Sequence, residues 1–285
     1  AGINLFSTLG YDTSLQAPLD DKTYQEFKET YIEGSPNAER FNEEKALVEN
    51  WKSIDILFQL TNESFNGTKS LFEPSVNPYD LQSYLCFAIE LNNSEYSKSH
   101  IANITREVNK LFSIPIIIIF KYGECITLAI INRRVNKRNS DRDVLEKVTL
   151  IKDIFFEKPH RAHIEILFDM SLPQLSVEYQ INNFDSLHKA WSEVLDTQTL
   201  NKRFYTELSN WYFWAIKTVV YPGYEYEAQR NSLFTKEEKL REHNAKNLIR
   251  LLTRLLFVWF IKEKDLIPEE LFDEKSIKNL ITSFE

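Results

Sequence analysis

The sequence predicts an α/β domain built on a mixed sheet, followed from about residue 183 by an all-helical region. Three observations carry that expectation. Apolar runs of strand length recur as far as about residue 180, one long amphipathic stretch separates them between Ser97 and Phe112, and beyond Asn183 the apolar residues change to helical spacing. With 285 residues, 43% of them hydrophobic, the chain can bury a sizeable core and form two domains of ordinary size, here expected as 1–182 and 183–285.

The elements follow in order. The N-terminal segment is crowded with acids (Asp20, Asp21, Glu26, Glu29, Glu33, Glu39, Glu43, Glu44 and Glu49), which suit a solvated helical face. SIDILFQLTNESF (53–65) is rich in β-branched and aromatic residues and reads as a strand, although its start is equally compatible with helix. LQSYLCFAIEL (81–91) reads as a largely buried strand, and the stretch from Ser97 to Phe112 as a helix with Ile101, Ile104, Val108, Leu111 and Phe112 on one face. IPIIIIFKYG (114–123) is a continuous β-branched run, the pattern of a central strand covered on both faces. Gly123 and Glu124 mark a tight turn into CITLAIINRR (125–134), its antiparallel partner. NRRVNKRNSDRD (132–143) has no apolar period and is expected as a projecting loop or frayed strand end. KVTLIKDIFF (147–156) and AHIEILFDM (162–170) read as two further strands.

In the helical region, Leu200, Phe204, Leu208, Trp211, Tyr212, Ala215, Ile216 and Val219 fall at helical spacing until Pro222 and Gly223 stop the run. Thr235 and Glu238 form a capping box for a helix from about Lys236 to Lys264, whose last part is apolar nearly all round and so is expected to be buried. Pro268 suits the first position of one more short helix.

Composition excludes several classes. A formal net charge of -8 disfavours a module whose whole surface attracts phosphate, so any nucleic-acid contact has to be local. No stretch reads as a membrane span: 113–123 is too short, and Arg250 and Arg254 interrupt 248–262. No secretion signal is visible, and a cytoplasmic protein is expected. Cys86 and Cys125 lack CxxC spacing and read as core residues. Six glycines, none in GxG, rule out a P-loop, a Rossmann dinucleotide site and a complete methyltransferase site. The only methionine is Met170, and the last residues read as an amphipathic helix without a stop signal; a piece of a longer polypeptide is expected.

The residues that could carry chemistry lie around the strand at 81–91. A metal-dependent nuclease of the PD-(D/E)xK type needs two carboxylates sharing a divalent ion and a lysine that steadies the attacking water or the developing phosphorane charge. Asp80 before the strand and Glu90 at its end are the candidate Mg²⁺ ligands. Residue 92, which alternation places on the same side as Glu90, is asparagine and cannot supply the positive charge. Lys98, at the start of the next helix, is the candidate replacement. The competing reading is an inactive nuclease-like fold. His160 and His163, three apart with Glu165 nearby, would suit a metal only on a helix, and the strand reading makes them histidines satisfied by backbone groups. The main electrostatic feature is the cluster Arg133, Arg134, Lys137, Arg138 and Arg142, opposed only by Asp141 and Asp143. It could clamp the phosphates of double-stranded DNA; the alternative is a solvated loop.

Two stretches carry a family resemblance. NLIRLLTRLLFVWFIKEKDLIPEELF (247–272), through Arg254, Leu255, Leu256, Phe257, Phe260, Lys264, Leu266, Ile267 and Pro268, resembles the helical segment just upstream of the methyltransferase domain in type IIG fused restriction-modification enzymes and related phage-defence adenine methyltransferases. Residues 143–172, with LNKRFYTELSNWYFWAIK (200–217), resemble the N-terminal portion of such proteins. The resemblance implies a nuclease-like α/β region, a helical connector, and a downstream methyltransferase domain in the same polypeptide that would bind S-adenosylmethionine beyond Glu285. Asn92 departs from the nuclease pattern and puts cleavage in doubt. Three functions stand as expectations: a Mg²⁺-dependent endonuclease region first, then a non-catalytic DNA-binding or scaffolding region of a phage-defence methyltransferase, and last an independent protein-interaction module.

Overall fold

The structure is a computed structural model that describes residues 1–66, 75–78, 80–135, 143–224, 235–263, 266–272 and 274–281. The chain separates into two compact units, Ala1–Leu200 and Asn201–Glu285.

The first unit is α/β. Its sheet has five strands in chain order: β1 (Trp51–Thr61), β2 (Ser83–Leu91), β3 (Ile116–Tyr122), β4 (Cys125–Val135) and β5 (Asp143–Phe155). The helices of seven or more residues around it are α1 (Gly2–Thr8), α2 (Lys98–Leu111), α3 (Arg161–Asp169), α4 (Leu172–Glu178) and α5 (Phe184–Val194). β2 and β3 are parallel and every other neighbouring pair is antiparallel. The connections dictate this, because α2 carries the chain back across the sheet between β2 and β3, whereas Gly123 and Glu124 alone join Tyr122 to Cys125. Gly123 takes φ +49°, the positive value that the first position of a tight hairpin turn requires, and a Cβ there would lie 3.1 Å from the Ser94 carbonyl.

Alternation along the strands builds two cores. Leu85, Phe87, Ile89, Ile116, Ile118 and Phe120 bury one face of the sheet against Ile101, Ile104 and Val108 of α2 and against Phe27 and Ile32 of the N-terminal segment. Tyr84, Cys86, Ile117, Ile119 and Leu128 bury the other against Phe6, Met170, Leu175, Leu187 and Trp191. β3 is therefore covered on both sides, as its unbroken isoleucine run demands. The outer edge of β1 is closed by the segment before it, through Ile54 N–H to the Lys22 carbonyl and Gln59 N–H to the Leu15 carbonyl, each 2.9 Å.

Residues 162–170, expected as a strand, are helical in α3. Two local interactions favour the helix: the His160 ring caps it by accepting from the Ala162 N–H at 3.2 Å, and Arg161 pairs with Glu165 one turn on at 2.6 Å. The expected loop at 132–143 is partly strand, with β4 reaching Val135 and β5 starting at Asp143. Helix α5, on the helical side of the expected boundary, packs on the sheet through Phe184, Leu187, Ala190 and Trp191, the Trp191 ring lying against Phe6, Tyr11 and Tyr84.

The second unit contains all but the first four residues of α6 (Thr197–Thr218), then α7 (Lys236–Glu263), a 3-10 turn at Glu269–Phe272 immediately after Pro268, and α8 (Glu274–Leu280). The capping box is formed, with Thr235 N–H to Glu238 at 2.8 Å and the Glu238 N–H back to the Thr235 hydroxyl at 3.3 Å. Its core is small: Ala215, Ile216 and Leu248, sealed by the Asn244 amide, which donates to the Ile216 carbonyl near the end of α6 and to the Val219 carbonyl just past it. The apolar end of α7, expected to be buried, is exposed; Leu255, Phe257 and Trp259 are 57%, 61% and 60% accessible. Among the described residues no helix is long and apolar enough to cross a membrane.

Candidate functional site

Glu90 stands near the end of β2, on the sheet rim where β1 begins and β3 ends. Its Oε1 accepts from Lys52 Nζ and Lys121 Nζ, each at 2.9 Å. Parallel pairing sets Lys121 directly opposite Glu90, and Lys52 arrives from the irregular first residues of β1. The two ammonium groups, Lys121 first and then Lys52, hold the Glu90 carboxyl below the ordinary carboxylate range against an opposing contribution from partial burial. Asn92, at the position of the missing lysine, is used structurally: its backbone N–H donates to the Asn50 carbonyl at 2.9 Å and its side-chain amide to the Glu49 carbonyl at 3.3 Å, pinning the end of β2 to the start of β1.

Asp80 is not at this rim. It lies ahead of β2, where its carboxylate accepts from the Gln82 N–H at 3.2 Å and its carbonyl from the Ser83 hydroxyl at 2.7 Å, shaping the turn into the strand. Ser83 and Glu90 lie seven positions apart on one extended strand, which puts Asp80 and Glu90 more than ~20 Å apart. The expected pair of metal ligands is therefore not assembled, and these two acids do not fit a shared Mg²⁺ ion. The physical reason is that acids before and after one strand sit at opposite edges of the sheet. Lys98 opens α2, after the Ser97 cap that accepts from the His100 N–H at 3.2 Å, while the lysines bonded to Glu90 come from β1 and β3. Among the described residues no group of three or more His, Cys, Asp or Glu side chains could hold a metal ion.

No family model, curated protein or solved structure matches this chain.

A second polar cluster occupies the same rim. The Tyr122 hydroxyl shares a 2.6 Å hydrogen bond with the Thr127 hydroxyl and donates to Asp153 at 2.8 Å; Asp153 takes φ +60° at an irregular step of the β4–β5 ladder and pairs with Lys152. Burial, then Asp153, pushes the neighbouring Cys125 thiol up to about 11, so at neutral pH it is a protonated core thiol and no nucleophile. His163 lies on helix α3, not on a strand; burial and then His160 lower its pKa, and its Nδ1 is buried without a hydrogen-bond partner.

Of the basic cluster, Arg133 and Arg134 fall on β4, in register with Leu145 and Val144 of β5. Lys137, Arg138 and Arg142 lie outside the described residues. β4 runs from the Glu90 rim to the far rim, so the arginines and Glu90 are separated by roughly 20 Å of sheet. Lys52 and Lys121 are the residues that sequence reasoning missed. Lys121 carried a signal, as the only charged residue in an otherwise apolar run of strand length; its partner could be named only once the parallel register was known.

Proposed function

We propose that this chain is a non-catalytic DNA-binding region of a fused restriction-modification or phage-defence DNA methyltransferase, a nuclease-like α/β domain followed by a helical connector. One contrast carries this reading. The acids that would hold the cutting metal are parted by the length of β2, and Glu90 is already neutralised by two lysines, whereas the concentrated basic run of an acidic chain begins on the part of β4 farthest from Glu90. Phosphate contact needs only such a run, while cleavage needs the carboxylates together.

The exposed apolar end of α7 supports the connector role. Leu255, Phe257, Trp259 and Phe260 give an ~85-residue unit an uncovered aromatic surface well beyond scattered single residues, and the resemblance names a methyltransferase domain of the same polypeptide, carrying S-adenosylmethionine, as the body that covers it. The second reading, Mg²⁺-dependent cleavage, has in its favour the juxtaposition of a carboxylate with lysines at one rim.

The test is duplex binding as a function of salt together with nicking of supercoiled DNA in Mg²⁺ and Mn²⁺. Binding that weakens steeply with salt, without nicking, is expected. Metal-dependent nicking abolished by Glu90→Gln would establish the second reading instead, and absence of duplex binding at low salt would remove DNA from the proposal.

A further inference from the structure

The sheet is not evenly trimmed at the rim where β2 and β3 begin. The last residue of β4 paired with β3 is Ile130, opposite Ile117, yet β4 and β5 stay paired with one another to Val135 and Asp143. Ile131 is level with Ile116, the first residue of β3, so residues 132–135 and 143–147 continue as a two-stranded antiparallel ribbon beyond the start of β3. Four further residues of β4 at about 3.3 Å each extend it by roughly 13 Å. Ile131 and Val148, opposite one another at the base, are both buried and root the ribbon in the core. Past them the paired residues are no longer isoleucines: Arg133 and Arg134 stand opposite Leu145 and Val144, with Lys147 also on the β5 side. The ladder shifts register between Ile131 and Arg133, the kind of bulge that increases twist and turns a ribbon away from its parent sheet.

Resting on the DNA-binding reading, we propose that this ribbon is the element that enters the major groove of duplex DNA. The groove of B-form DNA is about 12 Å wide and about 8.5 Å deep and admits a two-stranded ribbon, so a projection of roughly 13 Å exceeds its depth. A ribbon without charge would gain little there. Arg133 and Arg134 occupy consecutive positions, hence opposite faces of β4, so a ribbon lying in the groove has one arginine position on the face toward the base edges and one on the face away from them. The position toward the base edges is the one from which arginine chemistry matches guanine O6 and N7, and the position away from them the one that suits phosphate. The chain as a whole carries a net charge of -8, which repels DNA and leaves this basic projection as the favourable approach.

The experiment uses the full chain and fluorescent duplexes of mixed sequence, in plain form and with every cytosine carrying a glucosylated hydroxymethyl group that fills the major groove. Arg133→Ala/Arg134→Ala is compared with the wild type, and a second variant replaces residues 133–145 by Asn-Gly, a short hairpin turn that keeps the root of the ribbon. The thermal midpoint and circular dichroism of each variant report folding. The double substitution is expected to weaken binding about tenfold or more and to lower the salt slope by one to roughly two, according to how many of its contacts are to phosphate. The shortened ribbon is expected to bind no better than the double variant, and the glucosylated duplex to be bound far more weakly than the plain one. Wild-type affinity in both folded variants, or equal affinity for the two duplexes, would overturn the ribbon's role while leaving DNA binding intact. If the wild type binds no duplex at low salt, the DNA-binding reading itself falls, and the ribbon's role with it.

Discussion

Replacing Glu90 by glutamine tests the chemistry at the sheet rim directly. Glutamine keeps the shape and one acceptor oxygen but removes the charge that Lys52 and Lys121 share at 2.9 Å. Both lysines are substantially exposed, 62% and 48%, so each pair contributes only about 0.2–1 kcal/mol, and the two lysines are left facing one another when the carboxylate is neutralised. The expected loss at neutral pH is about 1 kcal/mol, a fall of about 3 °C in the thermal midpoint of a unit this size. Because the folded-state pKa of Glu90 is depressed, this stabilisation is present above the carboxyl's unfolded pKa and is lost as pH falls through the folded value. The gap between wild type and variant should therefore close in acid. Urea unfolding followed by tryptophan fluorescence across acidic to neutral pH, with and without Mg²⁺, measures it. Equal stability of the two proteins at neutral pH would refute the lysine clamp. Stabilisation of the wild type, but not of the variant, by Mg²⁺ would show Glu90 to be a metal ligand.

Two further outcomes follow from the cores. Tyr11 accepts from the Trp191 indole N–H at 2.8 Å and donates to the Met170 carbonyl, so Tyr11→Phe leaves two buried polar groups unpaired and should cost about 1–3 kcal/mol in urea unfolding, with no effect on duplex binding. His163 and His188 both have pKa values lowered chiefly by burial, opposed by Asp153 and Asp185 respectively. The unfolded chain binds their protons first, so stability should be complete above about pH 6.5 and fall as pH drops below it; a flat urea midpoint between neutral and mildly acidic pH would contradict their burial.

Much of the first unit was legible because its signals are local. The isoleucine run of β3, the amphipathic period of α2 and the Gly123 turn each report an element from within a dozen residues, and the order β, α, β, β follows from them. The pairing of Asp80 and Glu90 on one metal ion was the sequence reading's error, because both flank one predicted strand and each strand residue adds a fixed rise that parts them. Helix α3 was misread because Ile164, Ile166, Leu167 and Phe168 satisfy a buried strand and a helix alike, and the His160 cap that decides between them is a matter of backbone geometry.

By itself, then, the sequence determined most of the extended and helical segments, α3 excepted, and where basic charge concentrates in an acidic chain, because these depend on neighbours a few residues away. The tertiary structure alone decided that Glu90 meets Lys52 and Lys121, 38 and 31 residues distant, and that β4 and β5 outrun β3. Strand register is set by how two faces bury their side chains against different helices, and no single segment contains that information.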